Sequence, residues 1–290
     1  MLWTFRRSER DVVNLYNSLS PVMQLATCGN MLNFGYWDDS TADPLTAQRN
    51  LCLLVDNVAE LDSAARLIDI GSGLGGPADL WKSIHHRLDI VCININFSQL
   101  QDAARQIAVE NPEANSIVLS LPRKDHTISP VNATCTALPL SDGSADRIIA
   151  LESAQHFKPL GQFLRECKRV LAPGGIMVLA VPVLRKRYSL GAGPKLGILS
   201  ITWSSEHYPE DKLKSAIVEN GFKIDRMTRI GHLVYEPLAN YYMQNRAVLK
   251  QKIQAMYPPI VEDILCRSIA KMRSVSESEI IDYVVIKASS

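Results

Sequence analysis

Apolar residues return along this chain in two rhythms. From residue 8 to 27, and again from Leu45 to Leu61, they recur every three or four positions; in the second stretch they are Leu51, Leu54, Val55, Val58 and Leu61. That spacing predicts two amphipathic helices. Between them lies an aromatic loop, Asn33-Phe34-Gly35-Tyr36-Trp37. At Arg66 the rhythm changes. Arg66-Leu67-Ile68-Asp69-Ile70 is a short apolar run that stops at glycines, the pattern of a buried strand. A helix is expected over 77–86, a second strand over 88–95 and a second helix over 98–111. Ile117–Leu121 and Ser129–Val131 are weaker strand candidates. Ala145–Leu151 reads as a strand. Leu160–Leu171 reads as a helix with Phe163, Leu164, Cys167 and Leu171 on its apolar side. Pro173-Gly174-Gly175 reads as a turn and Ile176–Val181 as a strand.

Strands alternating with helices imply parallel β-α-β units, hence an α/β fold with a doubly wound sheet. Beyond it, Glu210–Asn220 is helical and Gly221 stops it. Phe222–Ile230 is a strand, 236–272 is mostly helical with a break at Pro258-Pro259, and Ile280–Lys287 is a last strand. The division expected is a helical cap over 1–62, a core over 63–182, and a lid with the last two strands over 183–290.

Composition narrows the classes. Of 290 residues, 47% are hydrophobic, enough for a large core, and the net charge is +1 with acids and bases mixed. Nucleic acid is therefore not an expected partner. The cluster Arg185, Lys186, Arg187 reads as a solvated turn. The six cysteines, Cys28, Cys52, Cys92, Cys135, Cys167 and Cys266, show no zinc or redox spacing. They fit a reducing compartment, and the N-terminus with Trp3, Arg6 and Arg7 lacks a signal-peptide core, so the cytoplasm is expected. No apolar run reaches the roughly 18 residues of a membrane span; peripheral membrane contact and homo-oligomer formation stay open. His85-His86 closes a helix without further donors, so no metal is expected. His126, His207 and His232 have no motif around them.

The candidate chemistry begins at Asp69-Ile70-Gly71-Ser72-Gly73-Leu74-Gly75-Gly76, a strand end, a glycine turn and a helix start. Glycines there allow positive φ and close approach of a ligand to the backbone, and the helix start offers unpaired N–H groups. The spacing suits S-adenosylmethionine, a dinucleotide (Gly71, Gly73 and Gly76 satisfy G-x-G-x-x-G), or a turn that binds nothing. Asp69 favours the first, since a carboxylate suits the cofactor's ammonium and repels a pyrophosphate. At the next strand end, where an acid would accept both ribose hydroxyls, stands Asn94, able to accept one bond and donate another.

Three more stretches resemble class I S-adenosylmethionine-dependent methyltransferases. They are Ala137-Leu138-Pro139-Leu140-Ser141-Asp142-Gly143-Ser144-Ala145-Asp146, Leu151-Glu152-Ser153-Ala154-Gln155-His156-Phe157, and Arg169-Val170-Leu171-Ala172-Pro173-Gly174-Gly175. With the glycine loop they stand in the family's order and spacing over 65–182. Leu15-Tyr16-Asn17 and Asn33–Trp37 resemble the "YD" and "H-x-GYW" elements of a small-molecule subgroup. That subgroup includes tocopherol and sterol C-methyltransferases, antibiotic sugar O-methyltransferases and cyclopropane fatty-acid synthases. Asn94-Ile95-Asn96-Phe97-Ser98-Gln99 is similar to its second-strand motif, with Gln99 as the matching residue.

The resemblance implies a seven-stranded Rossmann-like sheet with its last strand antiparallel, a helical lid, and S-adenosylmethionine as cofactor. It implies cofactor contacts at Tyr16, Asp69, Gly71, Ser72, Gly73, Gly75, Asn94, Ile95, Gln99 and Leu151. The family's adenine-binding Asp is replaced by Thr134, so its hydroxyl, or the backbone at Cys135, is expected to serve. His156 is the candidate base, because an imidazole can accept a proton near neutral pH. Glu152 is the second catalytic candidate, positioning substrate or cofactor. Tyr36, Trp37, Tyr235 and Tyr241 are expected at the substrate. The lid's Leu238, Tyr242, Met243, Met256 and Tyr257 suit an apolar pocket. The expected substrate is a small, largely apolar molecule of isoprenoid, quinone, sterol, polyketide or macrolide type, methylated on oxygen or carbon. The alternatives are a nicotinamide-dependent oxidoreductase and an inactive methyltransferase-fold binding subunit.

Overall fold

A computed structural model describes residues 8–27, 29–110, 127–185, 195–203 and 205–290. Cys28, Ile117–Leu121, His126, Lys186, Arg187 and the N-terminal Trp3, Arg6 and Arg7 lie outside the described residues. The chain begins with α1 (Glu9–Thr27) and α2 (Pro44–Ala59). The core then alternates: β1 (Arg66–Ile70), α3 (Gly76–Ile84), β2 (Asp89–Asn94), α4 (Phe97–Glu110), β3 (Ile128–Asn132), β4 (Ala145–Leu151), α5 (Leu160–Val170) and β5 (Leu171–Leu184). It closes with α6 (Glu210–Glu219), β6 (Lys223–Arg229), α7 (Tyr235–Gln244), α8 (Arg246–Gln254), α9 (Pro259–Glu277) and β7 (Ile281–Ser289).

The seven strands form one sheet in the order β3-β2-β1-β4-β5-β7-β6. Its first five strands pair in parallel, and β7 runs antiparallel to both β5 and β6. Side-chain alternation decides the two faces. In β1, Leu67 joins the core with α2 and α3, among Leu51, Cys52, Val55 and Trp81, while Ile68 and Ile70 join the core with α5 and α6, among Phe163, Leu164, Leu213 and Ile217. A one-residue slip would swap those sets, so both cores fix the register. No helix among the described residues is long and apolar enough to cross a membrane.

Two expectations about elements need correction. The turn expected at Pro173-Gly174-Gly175 lies inside β5: Leu171 pairs with Ala145, the register shifts, and pairing resumes at Ile176 with Arg147. The segment is a bulge, with Gly174 at φ 76 absorbing the extra residues. Leu171 accordingly starts the strand rather than ending α5. The lid also breaks at Asn245 as well as at Tyr257-Pro258, giving three helices.

Polar groups pin the cap to the core. Asp43 caps α2 by accepting from the Thr46 N–H at 3.0 Å. At the other end, the buried Arg147 on β4 donates to the carbonyls of Ala59 (2.5 Å) and Glu60 (3.3 Å) and to Ser63 Oγ (2.8 Å). A cation at a helix C-terminus satisfies its orphan carbonyls and its dipole together.

Candidate active site

β1 ends at Ile70 and the chain enters a loop whose Gly71, Gly73 and Gly75 sit at φ 81, 56 and 82. The Gly71 N–H donates to Ile93 O at 2.7 Å, tying the loop to β2. A Cβ on Gly71 would collide with Ser153, and one on Gly75 would press Ala103 at 3.1 Å. At Gly73 the nearest atom is Leu32 Cδ1 at 3.8 Å, so a side chain there would stand in open space.

That space is a cavity. Ser72, Gly73, Asn94, Ile95, Gln99, Cys135 and Leu151 line its core side, and Val12, Val13 and Tyr16 of α1 roof it. Asn94 is a brace. Its Nδ2 donates to Gly73 O (3.1 Å) and Gln99 Oε1 (3.0 Å), and its Oδ1 accepts from the Asn96 N–H at 2.9 Å. Both N–H groups are spent inside the protein, which corrects the expectation that Asn94 also donates to a ligand; its Oδ1 keeps one lone pair. Gln99 Nε2 reaches Ser20 Oγ (3.0 Å) and Asn96 Nδ2 reaches Asn17 Oδ1 (2.8 Å), so the strand end also latches α1.

Three expected cofactor residues do not line this cavity. Thr134 turns its hydroxyl to Glu9 of α1 and to Thr136 Oγ1 at 3.0 Å, leaving the wall to Ala133 and Cys135. Gly75 is the cap residue of α3. Asp69 lies beneath the loop at 2% exposure, and burial pushes its carboxyl up to about 7. Its Oδ2 has no hydrogen-bond partner among the described residues. Such an orphan is costly unless a ligand or a proton compensates it.

A second, larger cavity lies under the lid, largely apolar, between α1 and α7–α9. Tyr241, Tyr242, Leu249, Tyr257, Val261 and Ile264 contribute from the lid, and Leu15, Leu19 and Met23 from α1. The two cavities share Tyr16, Leu32, Asn33, Glu152 and His156.

The junction has a defined geometry. His156 ends a 3-10 turn, Ala154–His156, just after β4. Its Nε2 is 2.9 Å from Tyr16 Oη and 3.3 Å from Gln155 Nε2. An amide nitrogen can only donate, so Nε2 is the acceptor and carries the lone pair. Glu152 has left-handed backbone, φ 50, unusual for a residue with a side chain. Its Oε1 accepts from the Phe34 N–H (2.9 Å) and from Tyr283 Oη (3.1 Å). Burial pushes its carboxyl up to about 8, against the lowering effect of those two bonds. Tyr16 is likewise raised, first by burial and then by Glu152, and stays a neutral phenol.

Of Tyr36, Trp37, Tyr235 and Tyr241, Tyr241 alone lines the second cavity; of the other expected lid residues, Leu238, Tyr242 and Tyr257 line it, and Met243 and Met256 are exposed. Tyr235 is fully buried, its ring 5.6 Å from Phe34, 5.8 Å from Trp203 and 6.1 Å from Tyr283. Trp37 is buried against the Tyr241 ring at 5.7 Å, and Tyr36 packs on the α2-side core. Backbone bonds from Tyr36 N to Ala47 O and from Trp37 N to Leu233 O, both 2.8 Å, clamp this loop, so it offers Asn33 and Phe34 to the cavity instead. His85 Nε2–H donates to both carboxylate oxygens of Asp56 at 2.9 Å, joining α3 to α2. Among the described residues no cluster of metal-ligating side chains occurs.

The cavity beside the glycine loop fits S-adenosylmethionine better than a dinucleotide. Asp69 and Glu152 are sunken carboxyls with no cation paired to either among the described residues, and Glu9 also lines the cavity. The base in the lining, Lys158, is engaged by Glu206 at 2.6 Å. This is a setting for a cationic ligand and a poor one for a pyrophosphate.

Residues 68–179 match the family described as a methyltransferase domain. With the motifs and the site above, that stretch is an S-adenosylmethionine-dependent methyltransferase domain. The chain is 24% identical to erythromycin 3''-O-methyltransferase of Saccharopolyspora erythraea, over 99% of this chain and 92% of that one. In structure it resembles the cyclopropane synthase MmaA2 of Mycobacterium tuberculosis, with TM-score 0.81 and 14% identity over 98% of this chain and 99% of the other. It also resembles the cyclase SpnF, with TM-score 0.78 and 21% identity over 98% and 97%.

Proposed function

We propose that this methyltransferase acts on a hydroxyl group of a largely apolar molecule of polyketide or macrolide type. The observation that carries the reading is the junction, where a cavity under the glycine loop and an apolar cavity under the lid share His156, Glu152 and Tyr16. The relative that spans nearly the whole chain, an erythromycin O-methyltransferase, supports oxygen as the acceptor and a macrolide as the scaffold. Free thiols at Cys52, Cys92, Cys135, Cys167 and Cys266 support the cytoplasm as its location.

S-adenosylmethionine, when bound, supplies an electrophilic methyl group. Gly71, Ser72 and Gly73 would hold its methionine end over Asp69. Asn94, Ile95 and Gln99 would hold the ribose, and Cys135 and Leu151 the adenine side. The apolar cavity aligns the nucleophile and excludes water, which is most of what an in-line displacement requires. Tyr16, donating to His156 Nε2 at 2.9 Å, holds the ring in the tautomer that accepts, and the substrate hydroxyl takes Tyr16's place at that single lone pair when Nε2 receives its proton as the oxygen attacks.

A fold does not fix a reaction, and the resemblance to SpnF makes transfer itself the thing to detect. The experiment incubates the protein with methyl-labelled S-adenosylmethionine and hydroxylated macrolides, aglycone and glycoside, and seeks label in an ether methyl by mass spectrometry. Label on carbon would overturn the choice of oxygen. Binding without transfer to any substrate class would favour a non-catalytic subunit. Nicotinamide cofactors are expected to give no thermal stabilisation, whereas S-adenosylhomocysteine should raise the Tm.

A further inference from the structure

We infer that Glu152 is the exchangeable counter-charge of the junction, shedding its proton when a cationic ligand occupies the cavity and recovering one when that charge is lost. The inference rests on reading the first cavity as the S-adenosylmethionine site.

The geometry is asymmetric. Oε1 is held by two donors, the Phe34 N–H and Tyr283 Oη. Oε2 has no hydrogen-bond partner among the described residues, yet it is not sealed in, so it opens on the junction. A proton on Glu152 therefore sits on Oε2, facing the ligand. Among the described residues no cation is paired with the carboxylate. The titratable groups facing it are Tyr16 from α1, Cys52 from α2, Tyr235 from α7 and Tyr283 from β7. All four are raised, chiefly by burial, and stay neutral. His156 borders the same junction, and Asp69 lies below the loop.

A positive charge entering such a site is stabilised by ionising the nearest carboxyl. S-adenosylmethionine carries one positive charge more than S-adenosylhomocysteine. At transfer, the bond from methyl to sulfur breaks, its electron pair stays on sulfur, and a bond from oxygen to methyl forms. The sulfonium charge disappears and the hydroxyl proton is released. If Glu152 ends the cycle protonated, carboxylate plus sulfonium has become carboxylic acid plus thioether. The charge of the chamber is then unchanged.

The test is calorimetric titration of the wild-type protein in buffers of different ionisation enthalpy, which counts protons released on binding. The ligands are S-adenosylmethionine, sinefungin (an amine in place of the sulfonium) and S-adenosylhomocysteine. At pH 7, below the carboxyl's value of about 8, the two cations should release up to about one proton more than S-adenosylhomocysteine. The excess should vanish above about pH 9, where Glu152 is already ionised. Asp69 contributes equally in all three, because each ligand carries the same ammonium. Glu152→Gln should abolish the excess and weaken the cations selectively, by about tenfold for each unit the ligand lowers the carboxyl's pKa. Equal proton release by all three wild-type complexes would overturn this inference while leaving the cofactor site intact. An excess that survives Glu152→Gln would assign the proton to His156 instead. Failure of all three ligands to bind would overturn the site reading itself.

Discussion

Tyr16 Oη stands 2.9 Å from His156 Nε2, and the two rings meet edge to face at 88°. The contact joins the first helix to the turn after β4 across 140 residues of sequence. Tyr16 thereby closes the roof of the cofactor cavity onto the nitrogen that can act as base. The roof and the chemistry are coupled, because α1 is also latched by Asn96 and Gln99 at the end of β2.

Removing either partner should separate binding from turnover. General-base catalysis typically contributes about 10²–10⁴-fold. His156→Ala should lower kcat within that range while S-adenosylhomocysteine affinity changes little, since the glycine loop and β2 hold the cofactor. Tyr16→Phe keeps the ring but not the hydroxyl, so its loss should be smaller. Turnover of His156→Ala within about twofold of wild type would reduce His156 to packing, against the expectation from general-base catalysis.

The glycine loop offers a second separation. Gly73 has φ 56 and open space where a side chain would go. Gly73→Val adds a β-branched group in a backbone region it disfavours and directs it into the cavity. Cofactor affinity should fall by more than about 100-fold, while backbone strain of about 1–3 kcal/mol lowers the Tm by only a few degrees. A folded variant with normal affinity by calorimetry would show that the ligand lies elsewhere.

Much of this was legible in the sequence, and the misses have separate physical causes. The glycine loop, the strand-end Glu152 and His156, and the run from Asn94 to Gln99 are local patterns, each a strand end followed by a turn. Parallel strands bring such ends to one edge of the sheet, so local patterns sufficed. The partners of Glu152 could not be read that way. Tyr283 is 131 positions away, and Phe34 contributes a backbone N–H that any residue carries. Tyr235 is buried rather than lining the cavity because helical spacing reveals an apolar side but not whether it faces a core or a cavity, and Trp37 because an aromatic loop reads the same whether it is clamped into the core or open. The bulge at Pro173–Gly175 was missed because glycines suit a turn and a bulge equally.

Two raised carboxyls make a statement about stability. Asp69 and Glu152 titrate in the folded protein at about 7 and about 8, above the roughly 4 of an unfolded carboxyl. The folded state therefore binds more protons than the unfolded one between those values. The stabilisation is fully present below about pH 4 and lost as pH rises through about 7 and 8. The ligand-free protein should lose Tm from these two groups across that window. Glu152→Gln with Asp69→Asn should flatten the slope, and saturating S-adenosylmethionine should reduce it. Differential scanning calorimetry from pH 5 to 9 reads all three. An unchanged slope in the double variant would mean that neither carboxyl is protonated in the fold.

The apolar cavity gives the last prediction, because its volume sets what can bind. Ala26 lies in its lining, on the α1 side. Ala26→Trp would fill that wall with an aromatic ring where space already exists, so the fold should tolerate it better than an overpacked core would. The glycine loop is untouched, and S-adenosylhomocysteine affinity should stay within about twofold of wild type. Ala26 is not among the residues lining the cofactor cavity, and changes at sites without shared partners usually act independently, within about twofold. A bulky macrolide substrate should suffer a raised KM, by about tenfold or more, since losing one good apolar contact surface costs about 1–3 kcal/mol. A small hydroxylated substrate should be affected far less. The decisive measurement is the ratio of kcat/KM for a large and a small acceptor, before and after the substitution. A fall for the large acceptor alone places the substrate between α1 and the lid. An equal fall for both, or none, would mean that the acceptor reaches His156 by another route.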